Sequence, residues 1–433
     1  MLPDVTLPAS LAGLLAVFAP CFTAPTFGTF CGMVGGFVAQ TGRRTVCGML
    51  VGAGLSRLWP HDRAHYFFAT AAWSAEAVGL ALAQLVVSLL VPAGEPVQIV
   101  VDDTLFKRSG RKVWAASWFH DGSARTPAKV GYGNNWVIAG IVVTLTFLDR
   151  PVCLPVLARL VRKESTSASR LWLAARMVEA LPGRVVHVSA DAAYAGGELR
   201  GLPATITWTT RLRKDAALFE LAPPRTGRAG RPRSKGARLP ALATLAVTAS
   251  FTPAVVRRYG ITTTVHVAAV TCLWYSVFGS RPVQVIMVRE PGRASGFDLA
   301  LVSTDLDASP AQIIDRYATR WSVEVAIEDA KQSFGVGQAR NRTPNAVRRT
   351  LPFGLTCQTL TVLWYAQAGH HHRRHRPPPT RPWYTTKTQP SVADMLAKLR
   401  RVLIAARYRL PHPAQPTPAE IHAIRLAWEI TAA

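Results

Sequence analysis

Tyr317, Arg320, Glu324 and Lys331 stand at offsets of three, seven and fourteen within the segment YATRWSVEVAIEDAK. On a helix turning about 100° per residue, these four side chains fall within roughly 60° of arc. One helix face would then carry a carboxylate flanked by two cations and a phenol. A carboxylate that holds a metal, beside cations that hold a phosphate, suits the cutting of a phosphodiester. Two further carboxylates stand where apolar runs end: Asp102 in VQIVVDDT and Asp191 just after the run from Val185 to Ser189. Asp102, Asp191 and Glu324 can together bridge two divalent cations roughly 3.5–4 Å apart, one activating the attacking hydroxyl and the other stabilising the leaving oxygen. Carboxylate and water ligation favours Mg²⁺ or Mn²⁺ over Zn²⁺. Close negative charges repel, so the cluster is strained without its cations.

Each acid has a rival. Asp103 adjoins Asp102, but side chains alternate along a strand, so only one of the pair faces the site. Asp102 is taken as that one, with Thr104 on the same face as a supporting hydroxyl. Glu328 lies about 20° from Tyr317 in helical projection, and geometry leaves it open beside Glu324. Asp305, at the end of the last strand-like run, could also approach. Asp191 has an ordinary alternative role, because Asp often follows a strand to open a turn.

The elements that must position these groups can be read along the chain. Residues 1–92 read as a helical region with a basic turn at Thr41-Gly42-Arg43-Arg44. VQIVVDDT begins a series of strands, continued at Val113 to Phe119 and Trp136 to Phe147. A helix from Ser167 to Leu181 follows, introduced by STSAS, and then the strand Val185 to Ser189. That order predicts a mixed sheet with helices packed on it. From Thr205 to Asp305 the runs ATITWTTRL, ATLAVTASF, ITTTVHVAAVTCLWY, PVQVIMVRE and FDLALVSTD all read as strands. Between the first two, Arg225 to Arg238 lacks apolar periodicity and reads as an exposed basic loop. Its GRPR, with Arg231 and Arg233, is similar to arms that insert Arg into the minor groove. Ser309-Pro310 supplies an N-cap and first residue for the helix of the opening motif. Another helix is expected over Leu351 to Ala368, then a basic, Pro-rich linker from His370 to Pro382 and an amphipathic basic helix from Ser391 to Ala406.

With Lys plus Arg at 50 against Asp plus Glu at 25, the 433-residue chain carries a formal charge of +25. A polyanion is the expected partner, because neutralising phosphates releases condensed counterions. The six cysteines form no CxxC and no close Cys/His pairing in sequence, and read as reduced, mostly buried thiols. Leu11 to Val38 and Ala71 to Leu90 are strongly apolar, but prolines interrupt the first and Ser74, Glu76 and Gln84 the second. Both read as buried helices rather than membrane spans, and no basic segment precedes the first as it would in a signal peptide.

Tyr317-x2-Arg320-x3-Glu324-x6-Lys331 resembles the Y-R-E-K signature of bacterial insertion-sequence transposases of the DDE superfamily, and Trp321 after the Arg fits it too. The resemblance extends to DDT at Asp102 to Thr104, DAAY at Asp191 to Tyr194, and KQSFGVGQARNRT from Lys331 to Thr343. It implies an α/β fold: an RNase H-like mixed sheet with flanking helices, interrupted by a β-rich insertion. The corresponding boundaries are 1–92 for the N-terminal helices, 93–211 and 301–368 for the two parts of the catalytic core, 212–300 for the insertion and 369–433 for the C-terminal region. It also implies roles. Asp102, Asp191 and Glu324 would be the metal ligands, and Tyr317, Arg320 and Lys331 would hold phosphates near a transposon end. An insertion-domain Trp holds a flipped base in some relatives, which makes Trp274 and Trp208 candidates. The reaction implied is metal-assisted hydrolysis at transposon ends followed by attack of the freed 3′-hydroxyl on target DNA, in a synaptic homodimer within the cytoplasm. An RNase H-like nuclease without strand transfer and a non-catalytic DNA-binding protein are the competing classes.

Overall fold

The computed structural model describes residues 6–407 except for 123, 125–126, 164–168, 182–183, 225–231 and 371–386, together with 418–419 and 421–422. Arg231 and most of the Pro-rich linker lie outside these described residues. The chain opens with helices α1 (Ala9–Ala16), α2 (Ala24–Ala39), α3 (Val46–Gly52), α4 (His61–Ala69) and α5 (Ala75–Leu90). Apolar residues that could have been scored as a span are instead divided between α1 and α2, and α5 buries Val78, Leu82, Leu85 and Val86. No helix of the described residues is long and apolar enough to cross a membrane.

The sheet then builds from β1 (Val97–Lys107), β2 (Ser117–His120), β3 (Val130–Val143) and β4 (Val152–Leu160). Helix α6 (Arg170–Glu179) leads to β5 (Val186–Ala190) and β6 (Ile206–Arg211). Next come α7 (Leu242–Thr248), β7 (Thr252–Arg258), β8 (Ile261–Cys272), α8 (Tyr275–Phe278), β9 (Val283–Arg289) and β10 (Leu299–Ser303). The carboxyl-terminal part adds α9 (Pro310–Ala318), α10 (Trp321–Gln332), α11 (Pro344–Trp364) and α12 (Val392–Arg407).

These strands form one 10-stranded sheet in the order β2-β3-β1-β5-β6-β10-β9-β8-β7, with β4 also paired to β3. Pairings β1–β5 and β5–β6 are parallel and the rest antiparallel. An antiparallel set followed by two parallel additions, with helices packed against it, is an RNase H-like arrangement. The β-rich insertion does not stand apart: β10 pairs with β6, and β9, β8 and β7 extend the same sheet.

Three sequence expectations change. ATLAVTASF, expected as a strand, is helical in its first six residues, which continue α7 from Leu242; the helix buries Leu242 and Ala246 one turn apart. High Ala and Leu helix propensity outweighs the short β-branched content there. Between Val113 and Phe119 only the last residues are extended, because turn hydrogen bonds Val113 N–H to Gly110 and Ala116 N–H to Val113 come first. The Tyr317–Lys331 segment is two helices, joined through Thr319 and Arg320 by i→i+3 hydrogen bonds such as Arg320 N–H to the Tyr317 carbonyl. Strands β4 and β7 gave no clear sequence signal. Pro155 sits inside β4 at an irregularity of its pairing with β3.

Helix α11 is the buried axis of the helical layer, and Phe353 on it meets Phe30, Phe37, Phe67 and Phe68 edge-on. Several of its buried polar groups bond within the helix or serve as ties. Thr359 donates to the Pro155 carbonyl at 2.7 Å, and Gln358 to the Ala326 carbonyl of α10 at 2.9 Å. Helix α10 is thereby fixed between α11 and the sheet.

Candidate active site

Strand β1 offers two faces, and the neighbouring acids Asp102 and Asp103 divide between them. On the face toward α10, Asp102 Oδ2 lies 4.0 Å from Arg320 Nη1, and Arg320 Nη2 donates to Glu324 Oε1 at 2.9 Å. One guanidinium thus stands between two carboxylates. Two residues along the same face, Thr104 Oγ1 accepts from Lys331 Nζ at 2.6 Å, and the same ammonium lies 5.2 Å from the Phe106 ring centre. Asp103 points the other way. It accepts from Arg170 Nη1 at 2.8 Å, the Tyr194 hydroxyl at 2.9 Å and Asn135 Nδ2 at 3.0 Å. Its valences are filled by groups that tie α6 and the turn after β5 to the sheet, which leaves Asp102 as the acid available for chemistry.

Asp191 reaches this neighbourhood through the parallel pairing. Val101 and Ala190 are register partners, so Asp102 and Asp191 are the next residues on adjacent strands. Asp191 is exposed and also opens a turn, its Oδ1 accepting from the Ala192 N–H at 2.6 Å. Its charge reaches Tyr317, whose phenol burial pushes up; Arg320 opposes that rise and Asp191 adds to it. The Arg320 guanidinium carbon is 5.8 Å from the Tyr317 ring centre. The residues therefore connect in the order Asp191, Tyr317, Arg320, and from Arg320 to both Asp102 and Glu324. Ligand oxygens of the three acids do not all come within 4.8 Å of one another.

The electrostatics explain what the cluster needs. Burial pushes Asp102 up to about 6, with the charges of Asp103 and Glu324 adding to the rise and the Asp103 N–H and Arg320 opposing it. Burial works against the charge of Arg320, yet Tyr317, Glu324 and Asp102 raise it above the ordinary guanidinium value. Lys331 is lowered by burial first and by Lys107, with Asp121 opposing. All-oxygen donors fit a hard divalent cation, which would also offset the cost of ionising the buried Asp102 that Arg320 only partly meets.

The rival acids are placed elsewhere. Glu328 is exposed and accepts from Gln332 Nε2 at 2.9 Å on its own helix. Asp305 is held by Arg316 at 2.7 Å and lies 3.7 Å from His187 Nδ1. Of the two candidate aromatics, Trp274 is 4 % exposed and packs against Phe278, and Trp208 is 0 % exposed within β6. Neither ring is presented to a base, because both complete the hydrophobic core. Arg233 is exposed, as expected of a basic loop.

Two features escaped the sequence reading. Gln98, on the Asp102 face of β1, donates to the Arg316 carbonyl at 3.2 Å and Thr319 Oγ1 at 2.9 Å, fixing the α9–α10 junction. A polar side chain at an inward position of an apolar strand was its signal. Around β2, Trp118 is 60 % exposed, and Trp114 has the Arg162 and Arg348 guanidinium carbons at 5.2 and 4.4 Å from its ring centre. Interleaved cations and aromatics of this kind suit contact with nucleic acid. A cleft of about 910 Å³ opens beyond the α9–α10 junction, lined by Trp321, Val325 and Asp329 rather than Glu324. Within the acidic cluster Asp102, Arg320 and Glu324 are half-buried and Asp191 is exposed.

The sheet order, with Asp102 midway along β1 and Asp191 just after its parallel neighbour β5, faced by the carboxylate-bearing helix α10, is that of an RNase H-like fold. The family is shown directly. Residues 17–278, more than half of the chain and spanning Asp102 and Asp191, match the DDE superfamily endonuclease family, and the chain belongs to it. Enzymes of this kind generally use divalent metals and act on DNA. No curated protein matches the chain.

Proposed function

We propose that the chain is a transposase of the Y-R-E-K group, cutting DNA at the ends of an insertion sequence and joining those ends to target DNA. The observation that carries this reading is the single guanidinium of Arg320 placed between Asp102 and Glu324, with Tyr317 and Lys331 on either side of it. A generic nuclease needs the acids; the further cations and phenol supply fixed grips for phosphates flanking the cut.

In this reading Asp102, Asp191 and Glu324 would hold Mg²⁺ or Mn²⁺, and the cations would neutralise charge on the attacking and leaving oxygens. The protein's own groups orient the strand. Arg320 and Tyr317 contact one phosphate and Lys331, steadied by Thr104, another, so the scissile bond lies over Asp102. In the first step a water oxygen bonds to phosphorus, the bond to the 3′ oxygen breaks, and that oxygen leaves protonated as a free 3′-hydroxyl. In the second, the freed 3′-hydroxyl bonds to a target phosphorus and gives its proton to solvent, while the bond to a target 3′ oxygen breaks and that oxygen takes a proton from solvent to leave as a 3′-hydroxyl. Both are in-line displacements at the same acids. The substrate is double-stranded DNA of the chromosome, and joining two ends calls for two copies of the chain in a synaptic complex, consistent with a nucleoid-associated cytoplasmic enzyme. Exposed Arg233 and the cations around Trp114 extend the basic surface available to DNA.

The test separates joining from cutting. Pre-cut duplexes carrying the DNA that flanks the gene, each with a free 3′-hydroxyl, are incubated with a supercoiled target plasmid and Mg²⁺ or Mn²⁺. Covalent end–plasmid products, absent with 3′-dideoxy ends and with Glu324→Gln, are expected. Metal-dependent cutting of uncut ends without any joining would instead assign a nuclease.

A further inference from the structure

Outside the acidic site, the N-terminal helices gather a thiol and two imidazoles that are far apart in sequence. Cys47 Sγ on α3 lies 3.3 Å from His61 Nε2 and 3.5 Å from His65 Nε2 on α4. Among the described residues this is the one group of three Cys, His, Asp or Glu whose ligand atoms all lie within 4.8 Å of one another. His61 and His65 are one turn apart, so α4 presents both rings on one side, with centroids 4.6 Å apart. All three residues are exposed, so burial does not explain their convergence.

The spacing fits a metal. Zinc binds thiolate at about 2.3 Å and imidazole at about 2.0–2.1 Å, and tetrahedral angles then put sulfur and nitrogen roughly 3.5 Å apart. Cys47 already stands at nearly that separation from each histidine. The supports on both sides are rigid. Thr45 caps α3 by accepting from the Gly48 N–H at 3.0 Å, which fixes Cys47 in the first turn. Helix α4 is anchored by buried Ala64, Phe67 and Phe68, and by Arg63, which stacks on Trp59 at 3.7 Å and donates to Thr29 at 2.9 Å.

We propose that Cys47, His61 and His65 bind one Zn²⁺ and that the ion clamps α3 to α4, its fourth position open to water or an added ligand. Sulfur and nitrogen donors separate this site from the all-oxygen cluster at Asp102 and Glu324. Binding releases the Cys47 thiol proton to solvent and forms the sulfur–zinc bond, so acid opposes it. The clamp also bears on the catalytic side of the molecule. Arg44, just ahead of α3, donates its N–H to Gln338 Oε1 at 2.9 Å in the loop that follows Lys331 and α10.

Cobalt is the probe. Full-length protein, reduced and stripped with EDTA, is titrated with Co²⁺ in excess Mg²⁺, which keeps the acidic cluster occupied. A thiolate-to-cobalt charge-transfer band and the visible bands of tetrahedral cobalt are expected, saturating at one equivalent and bleached by Zn²⁺. Cys47→Ser should lose the charge-transfer band, while Glu324→Gln keeps it. Zn²⁺ should raise the melting temperature of the wild type and leave that of Cys47→Ser unmoved; circular dichroism checks that the variant is folded. Absence of the band in the wild type, or an identical spectrum in Cys47→Ser, would overturn the proposal and leave Cys47 as a thiol that only hydrogen-bonds to its neighbours.

Discussion

A carboxylate held beside other carboxylates in a partly dry site must either take a proton or meet a cation, and Asp102 illustrates the cost. Its side chain is 22 % exposed and its carboxyl is pushed up from 3.8 to about 6. Between those values the folded state binds more protons than the unfolded one, so stability falls as pH rises through that window and the ionised form is destabilising above it. Asp102→Asn should therefore be more stable than the metal-free wild type at pH 7, by roughly 1–3 kcal/mol. The gap should close as pH is lowered toward 4, as measured by denaturant unfolding in EDTA. A gap independent of pH would show that burial of Asp102 is not what raises it. Strand alternation made it legible that Asp102 and Asp103 face opposite sides, but not which of them faces α10; the contacts of Asp102 with Arg320 and of Asp103 with Arg170 and Tyr194 show that. Glu324 and Glu328 were not separable in sequence, since both fall near the same helical projection; in the fold Arg320 pairs with Glu324 and Gln332 with Glu328, which supports Glu324 as the proposed ligand.

At the scale of elements, β1 acts as a template on which alternate residues seat the helices carrying the other groups. Gln98 grips the α9–α10 junction, Asp102 faces Arg320, and Thr104 receives Lys331. The loop after α10 is held against the end of the strand, where Arg108 donates to the Gly337 and Ala339 carbonyls. Gly337 has φ +91° and its missing Cβ would lie 2.4 Å from Phe106, so glycine is required at that contact. Gln98→Leu should cost about 1–2 kcal/mol by leaving polar groups of the junction unpaired. It should also lower the cleavage rate at saturating DNA while leaving DNA affinity unchanged, because the junction carries Arg320 into place. Equal loss of rate and affinity would mean that Gln98 acts only through overall stability. The helical character of Tyr317 to Lys331 was readable from its spacing and its Ser309-Pro310 start. The break within it was not, since neither glycine nor proline marks it; Gln98 across the sheet and the bond from Thr319 Oγ1 to the Arg316 carbonyl at 2.7 Å accompany the tighter turn. Likewise ATLAVTASF reads as strand by composition, and only the burial of Leu242 with Ala246 reveals the helix.

For the whole molecule, the +25 charge and the acidic cluster are complementary. A basic chain brings a polyanion close, and in the proposed function a few concentrated carboxylates would hold the cations that act on it. The strands from β7 to β10 lengthen the sheet beyond β6, placing the insertion in line with the core. Sequence made the order of elements and the basic partner class legible because both depend on local pattern and composition. It concealed the Cys47, His61 and His65 cluster, since that depends on how α3 packs on α4. The central claim is that Asp102 and Glu324 act on DNA while Asp103 only holds the fold. It is tested by comparing Asp102→Asn, Glu324→Gln and Asp103→Asn with wild type on labelled DNA spanning the ends of the element, with Mg²⁺, Mn²⁺ or EDTA, below each variant's melting temperature. Metal-dependent cuts at the boundary are expected that vanish in the first two variants, with DNA binding kept, and persist in Asp103→Asn. Cutting that survives in Asp102→Asn or Glu324→Gln and is lost in Asp103→Asn would contradict that claim.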